Sequence, residues 1–294
     1  MHKTISCNDS LEGMAEIIPN LVYSRPEGAN GIGLKMQLIL PWWDRLGQET
    51  PAFPAILFVQ GSAWTFPNVW MEVPQLAQFA RKGYAVATIE HRNSLEGHPF
   101  PACLQDVKTA LRFLRKEGRQ YGIDTERIGI WGTSSGGNLA LLTAMTAGQE
   151  EFETKEYGGM SEKLDYCVAC FPPTDLPALL DDPCLRGEFE EIFYELAGKC
   201  KDREYDILRQ MSPYHLARQS NLDGKKMKLP PVFLAHGTKD QLIPYEQSRN
   251  LYEELVKNKA DVDFVSVDGA DHEGNFWTKE ILQEIENFIR EKQG

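Results

Sequence analysis

The chemistry available to this chain centres on Ser134, which sits in Gly132-Thr133-Ser134-Ser135-Gly136-Gly137, a G-x-S-x-G sequence. Glycines two residues either side allow a turn too tight for side chains, and such a turn lifts a hydroxyl clear of its surroundings. It also aims the first N–H groups of a following helix at whatever the hydroxyl attacks, or at a bound anion. The motif alone therefore leaves two readings open, a nucleophile or a phosphate-binding turn. A serine hydroxyl is a weak nucleophile and needs a base within hydrogen-bond reach. Six histidines are candidates: His2, His91, His98, His215, His236 and His272. Six cysteines include a C-x-x-C at Cys167 and Cys170. Those two lie in a strand-like run, where positions three apart face opposite ways, so they read as buried free thiols rather than a redox or metal pair.

The elements that would carry these residues alternate. Before the motif, Ile128-Gly129-Ile130-Trp131 has the length and apolarity of a buried strand; after it, residues 138–147 are rich in Leu and Ala and end at Gly148, as a helix does. Further strands are expected over residues 34–40, 55–59, 84–90, 167–171, 232–235 and 262–267. Helices are expected over 73–82, 102–116, 245–257 and 276–291. In the second of these, apolar residues at 104, 107, 110, 111 and 114 share one face. Strand–helix alternation implies a mostly parallel sheet covered on both sides. Residues 174–229 break the alternation, being far too long for an ordinary connection. Phe189, Ile192, Phe193 and Tyr194 fall there at helical spacing, so the segment reads as a helical insertion acting as a lid over the strand ends, or else as a peripheral addition.

Composition bounds the function. The 294 residues are 42% hydrophobic and 25% charged, enough to bury a large core. A formal net charge of −12 argues against nucleic acid and anionic membranes as partners. No apolar run approaches the ~20 residues of a membrane span. The first residues lack the apolar centre of a secretion signal, so a cytoplasmic location is expected unless a leader has been removed. No metal-ligand cluster or nucleotide fingerprint is present, and no cofactor is expected.

Taken in order, Gln60-Gly61-Ser62-Ala63-Trp64, the serine motif, His236-Gly237-Thr238-Lys239-Asp240 and Gly269-Ala270-Asp271-His272 resemble the α/β-hydrolase superfamily. The chain is similar to its serine esterases of the hormone-sensitive-lipase and feruloyl/acetylxylan-esterase-like branch. Asp124-Thr125-Glu126-Arg127-Ile128, Ser212-Pro213-Tyr214 and Ile243-Pro244-Tyr245 add smaller matches. The resemblance spans residues 20–292 and implies one α/β-hydrolase domain over 1–294, with the lid at about 174–229.

It also implies roles. Ser134 is the nucleophile, Asp240 the orienting carboxylate and His272 the base, in the Ser…Asp…His order of this fold. His272 lies between the last strand and the last helix, whereas His236 matches a turn of structural role. His215 could line the pocket or sit on the surface. Asp175, at another strand end, rivals Asp240, and Asp271 would point away from the histidine beside it. The oxyanion donors are the N–H of Ser135 and that of Ser62 or Ala63. Only the backbone of Ser135 is used in this reading, so Ser135→Ala is expected to matter little. The chain departs from the family's His-Gly-Gly-Gly/Ala-Trp at Gln60 and Ser62. Trp64, Phe193 and Tyr194 are the expected substrate-binding residues, with Trp64 equally able to be packing.

The implied activity is hydrolysis of short-chain or aromatic acyl esters, including acetylated or feruloylated plant-wall oligosaccharides, at a rate that rises with pH as the base loses its proton. Alternatives are an amide or peptide hydrolase of arylformamidase or oligopeptidase type, and a non-catalytic binding protein on the same scaffold. The partner is then a small-molecule or oligosaccharide ester, with homo-oligomerisation left open.

Overall fold

A computed structural model of the chain describes residues 1–26, 33–44, 50–224 and 226–293. Among them, eight strands form one sheet. They are β1 (Ala15–Ser24), β2 (Leu34–Pro41), β3 (Phe53–Val59), β4 (Ala85–Ile89), β5 (Ile123–Thr133), β6 (Cys167–Cys170), β7 (Val232–Gly237) and β8 (Val262–Val267). Their order across the sheet is β1-β2-β4-β3-β5-β6-β7-β8. The β1–β2 and β2–β4 pairs are antiparallel, and the other five pairs are parallel. In β3, residues 55–59 are buried without alternation, as expected of a central strand covered on both faces.

Nine α-helices connect or flank the strands among the described residues: α1 (Val73–Ala80), α2 (Ala102–Glu117), α3 (Ser134–Met145), α4 (Leu176–Asp181), α5 (Arg186–Leu196), α6 (Glu204–Gln210), α7 (Pro213–Leu222), α8 (Glu246–Lys257) and α9 (Lys279–Gln293). Two apolar clusters result. One joins α2, α3, α8 and the insertion to one face of the sheet; the other joins α1 and α9 to the opposite face. The predicted face of α2 (Leu104, Val107, Ala110, Leu111 and Leu114) is wholly buried in the first cluster. Cys167 belongs to the first cluster and Cys170 to the second, so strand alternation does part them, and all six cysteines are free.

Three elements differ from the sequence reading. β1 was not anticipated; it is an edge strand of mixed burial, interrupted by register shifts, and so lacks a clean period of two. β5 begins at Ile123, before the apolar run. Helix α3 begins at Ser134 itself, although Gly136 and Gly137 are poor helix formers.

Residues 174–229 hold α4 to α7 and no described strand, as expected of a helical insertion; Lys225 lies outside the described residues. Phe189, Ile192, Phe193 and Leu196 form the buried stripe of α5. The parallel strands β3 to β8 all point the same way, so the loops after β3, β5, β6, β7 and β8 gather at one edge.

Candidate active site

The turn between β5 and α3 is as tight as the glycines suggested. A Cβ on Gly132 would lie 2.1 Å from the Gly136 carbonyl oxygen, and one on Gly136 would lie 2.0 Å from that of Val59. Ser134 itself has φ +51°, a left-handed conformation that a non-glycine residue holds only where its surroundings impose it. Its side chain is half-buried and reachable from outside.

His272, in the loop after β8, closes on it. The Ser134 hydroxyl is 3.1 Å from His272 Nε2, and His272 Nδ1 is 2.7 Å from Asp240 Oδ2. A carboxylate can only accept, so Nδ1 carries the proton and Nε2 is left to take one from the serine. The ring is braced by Phe171, edge to face at 4.7 Å between centroids.

Asp240 is held from every side. Its Oδ1 accepts N–H bonds from Leu242 (2.9 Å) and Ile243 (2.8 Å), and its Oδ2 lies 3.2 Å from His236 Nε2. Burial opposes the charge on Asp240, but the bonds from His236 and His272 outweigh it and hold the carboxyl well below the usual carboxylate range. His236 is itself buried between the Ile243 carbonyl (2.8 Å from Nε2) and the Ser248 hydroxyl (2.7 Å from Nδ1). It reaches Asp240 and supports the carboxylate.

The rival pair lies apart. Asp175 follows β6 and caps α4, accepting from Ala178 N–H, while its Oδ1 is 3.0 Å from His215 Nε2. Among the described residues no hydrogen bond, ion pair or ring contact joins either residue to Ser134 or His272.

The loop after β3 is fixed by a dense set of bonds. Ser62 O accepts from the N–H (3.0 Å) and the hydroxyl (2.6 Å) of Thr65, and the Ser62 hydroxyl donates to Thr65 O at 2.9 Å. Trp64 O accepts from the N–H and hydroxyl of Ser94. Ala63 and Trp64 both have positive φ, +49° and +57°. Among the described residues the Ala63 N–H has no partner, and Ala63 is exposed. The Ser62 N–H, by contrast, donates to Ser135 Oγ at 2.9 Å. The expectation that Ser135 serves through its backbone alone therefore needs correction: its hydroxyl holds the loop that was to supply the second donor.

The expected substrate-binding residues also need correction. Trp64 is 1% exposed and Phe193 0%; their rings pack edge to face at 5.9 Å, Phe193 stacks on Phe189, and the indole N–H of Trp64 donates to Asn138. Both are packing, since rings closed on each other present no face to a ligand. Tyr194 is half-buried, with the Lys201 ammonium 5.0 Å over its ring. Asn138, one turn into α3, escaped the sequence reading although it joins three parts of the site, donating to Pro173 O (3.0 Å) and Met211 O (2.8 Å) as well as accepting from Trp64. Phe171 escaped too, since nothing in its strand-end position announces the ring it touches. No group of three or more His, Cys, Asp or Glu that could hold a metal occurs among the described residues.

With this geometry in view, comparison with known proteins places the chain. The family model of BD-FAE matches residues 45–255, more than half of the sequence. The chain belongs to the BD-FAE family. The match takes in Ser134, Asp240 and the loop after β3, and ends before His272. The chain is 26% identical over 237 residues to Esterase LipC of Mycobacterium tuberculosis, covering 80% of this chain and 56% of that protein. It is 27% identical over 241 residues to "Probable isoprenylcysteine alpha-carbonyl methylesterase ICMEL1" of Oryza sativa subsp. japonica, covering 81% and 54%. It thus spans about half the length of the curated relatives it matches. Among solved structures it is similar to a truncated form of a carbohydrate esterase from gut microbiota, with a TM-score of 0.78 and 27% identity over 95% of this chain and 96% of that one. This BD-FAE chain has the α/β-hydrolase fold and the family character of a serine esterase.

Proposed function

We propose that this BD-FAE chain hydrolyses carboxylic esters through an acyl-enzyme on Ser134. The observation that carries the reading is the unbroken line from Asp240 through His272 to Ser134, with contacts of 2.7 and 3.1 Å. Ser134 Oγ attacks the ester carbonyl carbon as its proton passes to His272 Nε2, and the carbonyl π electrons move onto oxygen. Asp240 stabilises the imidazolium that forms. The oxyanion takes the first-turn N–H of α3, from Ser135, and the N–H of Ala63. Collapse breaks the bond to the alcohol oxygen, which leaves with the proton from His272. A water molecule, deprotonated by the same histidine, then releases the acid and restores Ser134.

Acetyl or feruloyl groups on a sugar are the proposed substrates. The likeness to a carbohydrate esterase supports this, at 27% identity over nearly the whole of both chains. The esterase names of the curated relatives support the reaction class. A panel of aryl esters of rising acyl length, with acetylated and feruloylated oligosaccharides, tests both levels. Turnover that needs Ser134, with sugar esters preferred, is expected. Turnover of aryl acetates alone removes the sugar assignment, and no ester turnover at all removes the reaction class.

A further inference from the structure

We propose that the side chain of Ser135 is a positioning residue for the oxyanion hole, withdrawing the Ser62 amide from the hole and holding Ala63 N–H as its donor. The inference rests on the esterase reading and concerns how its hole is built.

Ser135 is 1% exposed, so its hydroxyl cannot turn to water, and the Ser62 N–H that it accepts at 2.9 Å is committed. A committed amide is a poor donor for a passing oxyanion, because a shared proton binds each acceptor less well. The same bond fixes the peptide on the N-terminal side of Ser62. The peptide on its other side is fixed through Ser62 O, which takes both the N–H and the hydroxyl of Thr65. Peptides are planar and trans, so a carbonyl held toward Thr65 sends the N–H of Ala63 the opposite way. Two consecutive residues then adopt left-handed φ, at Ala63 and Trp64, each an unfavourable conformation for a side chain that survives only when neighbouring bonds impose it. Ser135 therefore contributes twice, its own N–H to the oxyanion and its hydroxyl to the residue that brings the second N–H. The sequence supplies both hydroxyls, Ser135 beside the nucleophile and Thr65 three residues beyond Ser62.

The test compares wild type, Ser135→Ala and Ser135→Thr on an aryl acetate, with a boronic acid as the tetrahedral mimic and thermal melting as the check on folding. For Ser135→Ala, kcat is expected to fall roughly 10–100-fold with KM within about twofold, the pattern of a misplaced transition-state donor. The boronic acid should weaken by a similar factor, and the shape of the pH–rate profile should not change. Ser135→Thr, which keeps the hydroxyl, should recover most of the loss; if the added methyl prevents folding, the alanine variant stands on its own. An unchanged kcat in folded Ser135→Ala overturns the proposal, as does a loss confined to melting temperature. A raised kcat overturns it as well, because the Ser62 amide would then be the donor that Ser135 had withheld. Wild type that hydrolyses no ester fails differently: it removes the esterase reading, and this one with it.

Discussion

Asp240 and His272 are 2.7 Å apart in the loops after β7 and β8; Asp175 and His215 are 3.0 Å apart, one after β6 and one in the first turn of α7. Both pairs sit at the same edge of the sheet, and by residue type they are interchangeable. Their surroundings are not. The Asp240 carboxylate is fully buried and receives four N–H groups, from Leu242, Ile243, His236 and His272. Asp175 keeps a side chain 22% exposed and divides one oxygen between the N–H of Ala178 and the histidine. The histidines differ at their far ends. His272 uses Nδ1 for the aspartate and offers Nε2 to Ser134, whereas His215 spends Nε2 on the aspartate. The pair proposed for catalysis thus differs from the other in which ring nitrogen remains and what that nitrogen faces.

The largest effect should come from breaking the first pair and its serine. Ser134→Ala, His272→Ala and Asp240→Asn are each expected to lower kcat/KM for an aryl acetate by ~10⁴-fold or more, since triad members act as a unit. His215→Ala and Asp175→Asn should stay within roughly fivefold. Equal losses at both pairs, with the variants folded, would show that the second pair acts in the chemistry.

A third acid near the first pair tests the role of the donors. Glu72, at the start of α1, is 8% exposed, and its Oε2 has no hydrogen-bond partner among the described residues. Burial, with the charge of Glu273 next to His272, pushes its carboxyl up to about 8. Asp240 and Glu72 are both buried carboxyls, and only the one supplied with N–H groups is pushed down. For Glu72 the raised value means that the native state binds its proton more tightly than the unfolded chain. Stability is therefore lost as pH rises from the ordinary carboxylate range to about 8. Glu72→Gln should remove that loss. Its gain over wild type should be negligible below pH ~4, grow through the window, and reach up to roughly 5 kcal/mol at its alkaline end. Denaturant unfolding at a series of pH values checks it, and a gain independent of pH would show that Glu72 holds its proton no more tightly in the folded chain than in the unfolded one.

The sequence exposed some of this arrangement and hid the rest for physical reasons. Central strands such as β3 state their burial in a continuous apolar run, and amphipathic helices such as α2 in local periodicity. Ser134, Asp240 and His272, to which the resemblance assigned roles from a turn motif and two strand ends, are side chains that the structure brings together. What stayed hidden depends on partners far along the chain. Nothing local in Ser135 reports that its hydroxyl meets Ser62, 73 residues away. Likewise nothing local in Lys108 and Arg112 reports that both are buried on the carboxylate of Glu162, at 2.7 and 2.6 Å and 54 and 50 residues away. Helix α3 hid its start because glycines that weaken an isolated helix are required here by the close approach of β3. Phe193 showed helical spacing, but spacing does not say whether the buried stripe of α5 meets a substrate or another helix.

Phe193 now separates packing from binding beside the two pairs. Its ring is fully buried between Phe189 and Trp64. Phe193→Ala should cost about 3–5 kcal/mol of stability, the range for a buried phenylalanine. Trp64 adjoins Ala63, so a loss of rate similar for every ester should accompany it. Tyr194→Ala, on a half-buried ring, should cost about 1 kcal/mol or less. A stable Phe193→Ala variant whose ranking of esters is rearranged would return that ring to the substrate pocket.

The smallest effect belongs to the second pair and measures what it contributes if not catalysis. Asp175 Oδ1 accepts the N–H of Ala178 at 3.2 Å, so it satisfies one of the first-turn donors of α4 that have no partner within the helix. Losing such a cap typically costs about 1 kcal/mol, and Asp175→Ala should show that much in urea unfolding. The contact with His215 adds less, because a partly exposed pair is screened by water and worth about 0.2–1 kcal/mol. His215→Ala should therefore cost less than Asp175→Ala. With the aspartate gone the histidine loses its only ion-pair partner among the described residues and keeps an edge contact with Tyr214, so the double variant should nearly match Asp175→Ala alone. Strict additivity of the two losses would mean that the 3.0 Å contact contributes no stability and that the aspartate acts only as a cap. A double variant far less stable than their sum would show that each residue replaces the other at some third partner, and the division of labour between the two pairs would have to be redrawn.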